Sequence, residues 1–420
     1  MSSPIRNSFY CQNAPGSANA CFYLPVNDIK NFIRRIRFNL NLTQTYLRSI
    51  LNYIMKPKFL LYELIIITTA LVLACLIGEG ITRKFFPFPQ TPPIREFDSN
   101  LGIERLRKNI DGFFKLDNAY LSSFHINSQR MRENKEYNYT KDKQSFRILG
   151  LGDSFTFGLW VNSEDTYLKA MERMLNSNIK PKKFEVINAG VPQYGTVEEL
   201  IFLENEGKKF NPDLIIVGFY VNDVEENARN SNFTLKDGVL TKTKQVLYEH
   251  SSHNKIKEFS QNIPVYCFLS QHSQMFNRMR IQIGELLYYR KLYSDLTKNQ
   301  NIPQDMQREE YNWELTRAIL LKMGDVAQSI NAKLLIVIIP PYETLSTIKL
   351  DADNHTPAYV RLMPIISKDV YILDLPPGLF VKSKDRLYYK NDFHWTGEGH
   401  RIGAEGIFDY LLVHKELLSL

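Results

Sequence analysis

From Phe146 onward, short apolar runs that end in glycine, proline or asparagine alternate with longer stretches whose apolar residues recur at helical spacing. FRILGLG (146–152) predicts a buried strand by its length and glycine ending, and EDTYLKAMERMLN (164–176) predicts a helix. KFEVINAG (183–190) and PDLIIVGFY (212–220) repeat the strand signal, with VEELIFLENEGKKF (197–210) as the helix between them. Further on, NWELTRAILLKMGDVAQSI (312–330) predicts a helix, and AKLLIVIIPP (332–341) and VYILDLPP (370–377) predict two strands. Strand and helix in this rhythm imply an α/β fold, a parallel sheet with helices on both faces. Two regions break the rhythm. Residues 98 to about 145 read as an irregular lead-in packed on the main domain, and about 240–310 as a helix-leaning insertion rich in Tyr, Lys and Gln. No internal repeat or low-complexity run is present.

A different pattern precedes the domain. FLLYELIIITTALVLACLIGEGI (59–81) carries acids only at Glu63 and Glu79 and approaches the ~20 residues that a bilayer span needs. A buried core helix is the alternative for an apolar run of this length. Lys56 and Lys58 precede it and Arg83 and Lys84 follow, so the charge rule does not orient it. A lone anchor before a long domain acts as an uncleaved export signal, which places the remainder outside the cytoplasm, periplasmic or extracellular. MKPKFLLYELIIITTALVLAC, from Met55, has the basic start and apolar core of such a signal, so 55–83 is read as a membrane anchor and 1–54 as an upstream extension. Val72-Leu73-Ala74-Cys75 loosely resembles a lipoprotein cleavage box, with Leu73 a poor fit. Four prolines in FFPFPQTPPIREFDSN make 84–97 a stiff linker, leaving 98–415 as the domain.

Composition narrows the function. With 44% hydrophobic and 23% charged residues, the 420-residue chain is built to fold. Its net charge of +7 is spread along the chain and forms no basic stripe, which argues against a nucleic-acid partner. Cys11, Cys21, Cys75 and Cys267 form neither a disulfide framework nor a metal-ligand pattern, and the eight histidines are scattered. No metal or other cofactor is called for.

In a doubly wound sheet, ligands sit at the carboxyl ends of the strands. Three strands end on unusual residues: Gly152-Asp153-Ser154, Asn188-Ala189-Gly190 and Asn222-Asp223. A fourth block, YYKNDFHWTGEGHRIGAEGI, holds Asp392 and His394. Each has a bland reading: Ser154 as a helix cap, Gly190 as a turn, Asn222 or Asp223 as the next cap, His394 as a core histidine. Together they supply an acyl-transfer site. A serine is a weak nucleophile until a base takes its proton, imidazole suits that task, and an acid fixes the imidazole tautomer. Amides of Ser154 and Gly190 and the side chain of Asn222 could hold the oxyanion. A phosphate loop, a dinucleotide fingerprint and the G-x-S-x-G elbow are all absent around Ser154.

This set resembles the SGNH/GDSL hydrolases, whose four blocks contribute Ser, Gly, Asn and His in that order, and the resemblance spans about 98 to 415. It implies a flavodoxin-like three-layer α/β/α fold, no metal, and a mechanism in which Ser154 attacks, His394 is base then acid, Asp392 orients it, and Ser154, Gly190 and Asn222 form the oxyanion hole. Many members carry the acid three residues before the histidine; here that position is Asn391, and the acid is Asp392. His400 with Glu398 is a rival pairing. DFHW is more similar to the branch that modifies surface polysaccharide from a membrane tether. The implied activity is removal of an acyl group, acetyl above all, from a carbohydrate or small ester. An O-acyltransferase acting on a glycan and a catalytically silent glycan-binding scaffold are the alternatives.

Overall fold

The computed structural model describes residues 57–85, 94–116, 120–229, 232–243, 263–280, 305–342, 355–376, 383–390 and 392–420, with a few isolated positions between them. Most of the 1–54 extension, linker residues 86–93, and 244–262 and 287–304 of the insertion lie outside the described residues. The chain divides into two units, Met1–Ile77 and Gly78–Leu420. The first contains most of α1 (Pro57–Phe85). Leu61–Phe85 of this helix is long and apolar enough to cross a membrane, and its most apolar 18 residues have a mean hydropathy of 2.3.

Over 98 to about 145, expected as an irregular lead-in packed on the main domain, the packing holds and 127–144 is irregular, but the first part is corrected. Two antiparallel hairpins form there: β1 (Arg95–Asp98) with β2 (Ile103–Leu106), and β3 (Ile110–Leu116) with β4 (Tyr120–Ile126). The strands are too short for alternation to stand out, and charges at Glu96, Glu104 and Arg105 interrupt the apolar signal. Tertiary packing secures them, because Phe114, Leu116, Phe124 and Ile126 all join the main core.

The predicted rhythm then follows. In order come β5 (Ser145–Gly152), α2 (Ser154–Phe157), α3 (Tyr167–Asn178), β6 (Lys183–Asn188), α4 (Thr196–Asn205), β7 (Leu214–Phe219) and α5 (Asp223–Arg229). A hairpin of β8 (Phe233–Lys236) and β9 (Val239–Lys242) precedes two helices, α6 (Pro264–His272) and α7 (274–280). The last elements are α8 (Asp305–Ser329), β10 (Lys333–Ile338), α9 (Pro357–Leu362), β11 (Val370–Asp374), α10 (Lys384–Leu387) and α11 (Gly397–Val413). The central sheet is parallel, in the order β6-β5-β7-β10-β11. That is the 2-1-3-4-5 winding of flavodoxin-like sheets.

Alternation across the pleat builds the three layers. Ile148, Ile216, Leu335 and Val337 face Leu168, Met171, Leu175, Ile407 and Leu411 of α3 and α11. Leu149, Leu151, Ile215 and Val217 face Leu200, Leu203, Ile319 and Met323 of α4 and α8. Both sheet faces are covered, so the strands read as unbroken apolar runs rather than alternating ones.

Candidate active site

Register gathers the strand ends. Gly150 pairs with Asn188 and Gly152 with Gly218, so the residues after β5, β6 and β7 emerge side by side. Gly152 turns the chain at φ +150°, and a Cβ there would lie 2.0 Å from Thr156 Oγ1. That conformation and crowding require glycine. Asp153 then caps α2 by accepting from Phe155 N–H at 2.8 Å, which leaves Ser154 at the first helical position with its hydroxyl at the sheet edge.

The fourth block arrives from the opposite end of the chain. An antiparallel bridge between Tyr388 and Trp395 closes a short loop, tightened by Tyr389 N–H to His394 O at 2.9 Å and Phe393 N–H to Tyr389 O at 2.8 Å. Phe393 is left-handed at φ +67°. This loop brings His394 Nε2 to 2.7 Å from Ser154 Oγ, while His394 Nδ1 bonds Asp392 Oδ1. The Phe155 ring packs against His394 (centroids 4.9 Å apart) and against Tyr220 (4.8 Å), tying the nucleophile turn to both neighbouring blocks. Burial acts to lower the His394 pKa, but the hydrogen bond and charge of Asp392 outweigh it and the net shift is upward.

The rival histidine has another job. His400 Nδ1 accepts the Tyr167 backbone N–H at 3.2 Å inside the core. Burial, aided by the positive charges of Arg132 and His394, lowers its pKa to about 3, so it stays neutral. Glu398 pairs instead with Arg401 at 2.9 Å and Arg386 at 3.4 Å.

The oxyanion candidates differ from one another. Ser154 N–H has no protein acceptor among the described residues. Asn222 Nδ2 donates one hydrogen to Glu226 Oε1 at 3.1 Å, which holds the amide and leaves its second hydrogen available. Gly190 departs from the expectation of a free donor, since its N–H donates to Asn188 Oδ1 at 3.0 Å. Its glycine identity has a packing cause: a Cβ would lie 2.3 Å from Phe157 N and 2.7 Å from Thr156 C. The backbone after β6 therefore presses directly on α2. The carboxyls of Glu199 and Asp223 are buried, and burial, followed by the charges of neighbouring carboxylates that include Asp153 and Glu226, drives both pKa values well upward. Among the described residues no group of three His, Cys, Asp or Glu side chains is arranged to hold a metal ion.

Two residues essential to this geometry went unread in the sequence. Trp160 Nε1–H donates to Asp392 Oδ1 at 2.5 Å, so the carboxylate oxygen that meets His394 is held from a second side. Trp160 is itself left-handed at φ +70°, which is unusual for a bulky residue. Arg132 keeps it so. Its buried guanidinium donates to the carbonyls of Phe157 (2.9 Å), Gly158 and Val161, closing the loop on both sides of Trp160. Phe114 of β3 packs edge-on against Trp160 at 5.8 Å. The only local hint was an indole donor six residues after the nucleophile; nothing near Arg132 signalled its role.

No protein-family model matches the sequence, and no curated protein does. Solved structures to which the chain is similar include a lipase and an esterase. TesA is 10% identical with a TM-score of 0.34, covering 63% of this chain and 97% of that one. The lipase Lip_vut3 from a goat rumen metagenome is 11% identical with a TM-score of 0.36, covering 62% and 95%. The psychrotrophic esterase EstA from Pseudoalteromonas sp. is 11% identical with a TM-score of 0.33, covering 65% and 99%.

Proposed function

We propose that this chain is a serine-dependent ester hydrolase of the SGNH/GDSL type. The observation that carries the reading is the relay Ser154 Oγ, His394 Nε2 at 2.7 Å, and Asp392 on the other ring nitrogen, at the carboxyl edge of the parallel sheet. His394 takes the Ser154 proton as Oγ attacks the ester carbonyl, and the Ser154 N–H and Asn222 Nδ2 receive the oxyanion, with the Gly190 N–H shared between it and Asn188. His394 then passes its proton to the leaving alcohol. Water repeats the sequence on the acyl-enzyme and frees the acid. No step requires a cofactor.

We further infer that the acyl group is small, acetyl above all, and that the alcohol is a carbohydrate or another hydrophilic molecule. A groove of about 650 Å³ reaches Val221 and Val224, the neighbours of Asn222 and Asp223, and is lined further on by Glu225, Arg229, Glu309 and Trp313; Ser154 and His394 lie outside its lining. Guanidinium, carboxylate and aromatic groups in one groove suit a hydroxyl-rich leaving alcohol better than a long alkyl chain. The helix α1 is read as a membrane anchor that holds the catalytic unit outside the cytoplasm.

The test uses p-nitrophenyl esters of increasing chain length with the full chain in mild detergent, beside Ser154→Ala. Acetyl ester hydrolysis that vanishes in the variant and declines with chain length supports the reading. Equal inertness of two folded proteins removes it and favours transfer to a glycan acceptor or simple glycan binding.

A further inference from the structure

Helices α6 and α7, between the β8–β9 hairpin and α8, are inside out. Their buried side chains are polar: Ser270 and Asn277 are 0% exposed and Gln274 is 1% exposed. Their outward side chains are mostly apolar, with Val265 64%, Phe268 59% and Met279 51% exposed, followed by Ile283 at 53% and Leu286 at 68%; His272, stacked on Phe268, is the polar exception at the end of α6. Positions 265 and 268 share one helical face, as do 279, 283 and 286. Water selects the opposite arrangement, apolar residues inward and polar outward. So many large apolar side chains exposed on two successive helices mark a contact with protein or membrane.

The end of α1 indicates which. Glu79, the first charge after the uncharged stretch Leu64–Gly78, accepts from Ser273 Oγ at 2.7 Å, Gln274 N–H at 2.9 Å and Met275 N–H at 3.1 Å. It thus caps the first turn of α7. Arg83 donates to His272 O, and a Cβ on Gly78 would lie 2.6 Å from Met275 Sδ. The apolar face is therefore fastened where the apolar stretch of α1 ends. Arg83 and Lys84 close α1, and Arg278 and Arg280 lie on α7, the composition of a segment at an anionic lipid surface.

We propose that α6 and α7 form a second membrane contact, lying in the headgroup layer with Phe268, Met279 and their neighbours against acyl chains. The occupant of the apolar face is lipid. This rests on reading α1 as a membrane anchor. Two attachments fix the orientation of the catalytic unit, where a single helix and linker would leave it free to tumble.

The experiment reconstitutes the full chain in phosphatidylcholine vesicles containing phosphatidylglycerol, with or without brominated acyl chains. Native cysteines are replaced by serine, and one cysteine at Phe268 or Met279 carries an environment-sensitive fluorophore. Leu71→Cys in α1 and Val413→Cys, at a position 78% exposed, serve as references, and circular dichroism confirms folding. At a depth of about 5–10 Å, labels at 268 and 279 lose roughly half their fluorescence or more to brominated lipid and resist aqueous iodide, whereas the label at 413 does the reverse. If the label at 71 is quenched by brominated lipid but those at 268 and 279 are quenched by iodide, the second contact is refuted and the anchor stands. Shielding of 268 and 279 from both quenchers means that protein covers the face, which also overturns the proposal. A label at 71 that brominated lipid does not quench defeats the anchor reading and this one with it.

Discussion

Replacing Trp160 with phenylalanine removes one hydrogen bond while keeping most of a buried aromatic side chain. The indole N–H donates at 2.5 Å to the same Asp392 oxygen that binds His394. A hydrogen bond to a charged group is worth about 1.5–3 kcal/mol net, or roughly 10- to 100-fold in rate if the transition state feels all of it. Two effects follow from its loss. Asp392 is freer to rotate away from His394, which lowers kcat. Its negative charge is also less neutralised, so the His394 imidazolium is favoured and the acid limb of the pH profile moves to higher pH. KM for a small ester should hold, because Trp160 reaches the reaction through Asp392. The assay is kcat/KM for p-nitrophenyl acetate against pH for wild type, Trp160→Phe and Asp392→Asn. Asp392→Asn should lose far more, since an asparagine can favour the wrong tautomer, a change that costs a serine-protease triad about 10⁴-fold. A Trp160→Phe enzyme with wild-type kcat and an unmoved acid limb would show that the indole only fills space.

Other consequences are equally direct. Because the base must be neutral and the His394 pKa is raised, wild-type kcat/KM should climb with pH through a pKa above 6.5, as read from a pH-rate profile. Gly190→Ala drives a Cβ to 2.3 Å from Phe157 N, so both stability and activity should fall, the former by about 1–3 kcal/mol or more in a denaturant titration. Glu226→Gln tests a half-buried acid. Its folded pKa is pushed up to about 7, first by burial and then by Asp153 and Glu198, so the folded state holds a proton that the unfolded chain releases near 4.5. Stability therefore falls as pH rises through that window, by about 3 kcal/mol at most for this group. The variant's Tm should drop less than that of wild type between pH 5 and pH 8, and an equal drop would refute the assignment.

Much of this was legible along the chain, for a physical reason. Strands covered on both faces must be apolar throughout, so β5, β6, β7, β10 and β11 announce themselves as runs. Ser154 follows a glycine turn because the sheet edge needs one there, and Asp392 lies two residues from His394 because their contact is made within one short loop. These are local demands, and local sequence records them. The hairpins β1–β2 and β3–β4 were not legible, since strands of four to seven residues owe their order to the core they join.

Only the tertiary structure decided the rest. The resemblance already implied His394 as the base, and packing gives the reason it is not His400: the His394 ring reaches Ser154, while the His400 ring accepts the Tyr167 amide. The Trp160 bond to Asp392 joins residues 232 positions apart, and Arg132 holds a loop 25 to 29 residues downstream. No periodicity or spacing encodes such meetings, because the direction of a polar atom depends on how distant elements pack. Thus the sequence by itself determined the winding of the sheet and the chemical types at its edge. Packing determined which of those side chains meet, and which buried groups hold them in place.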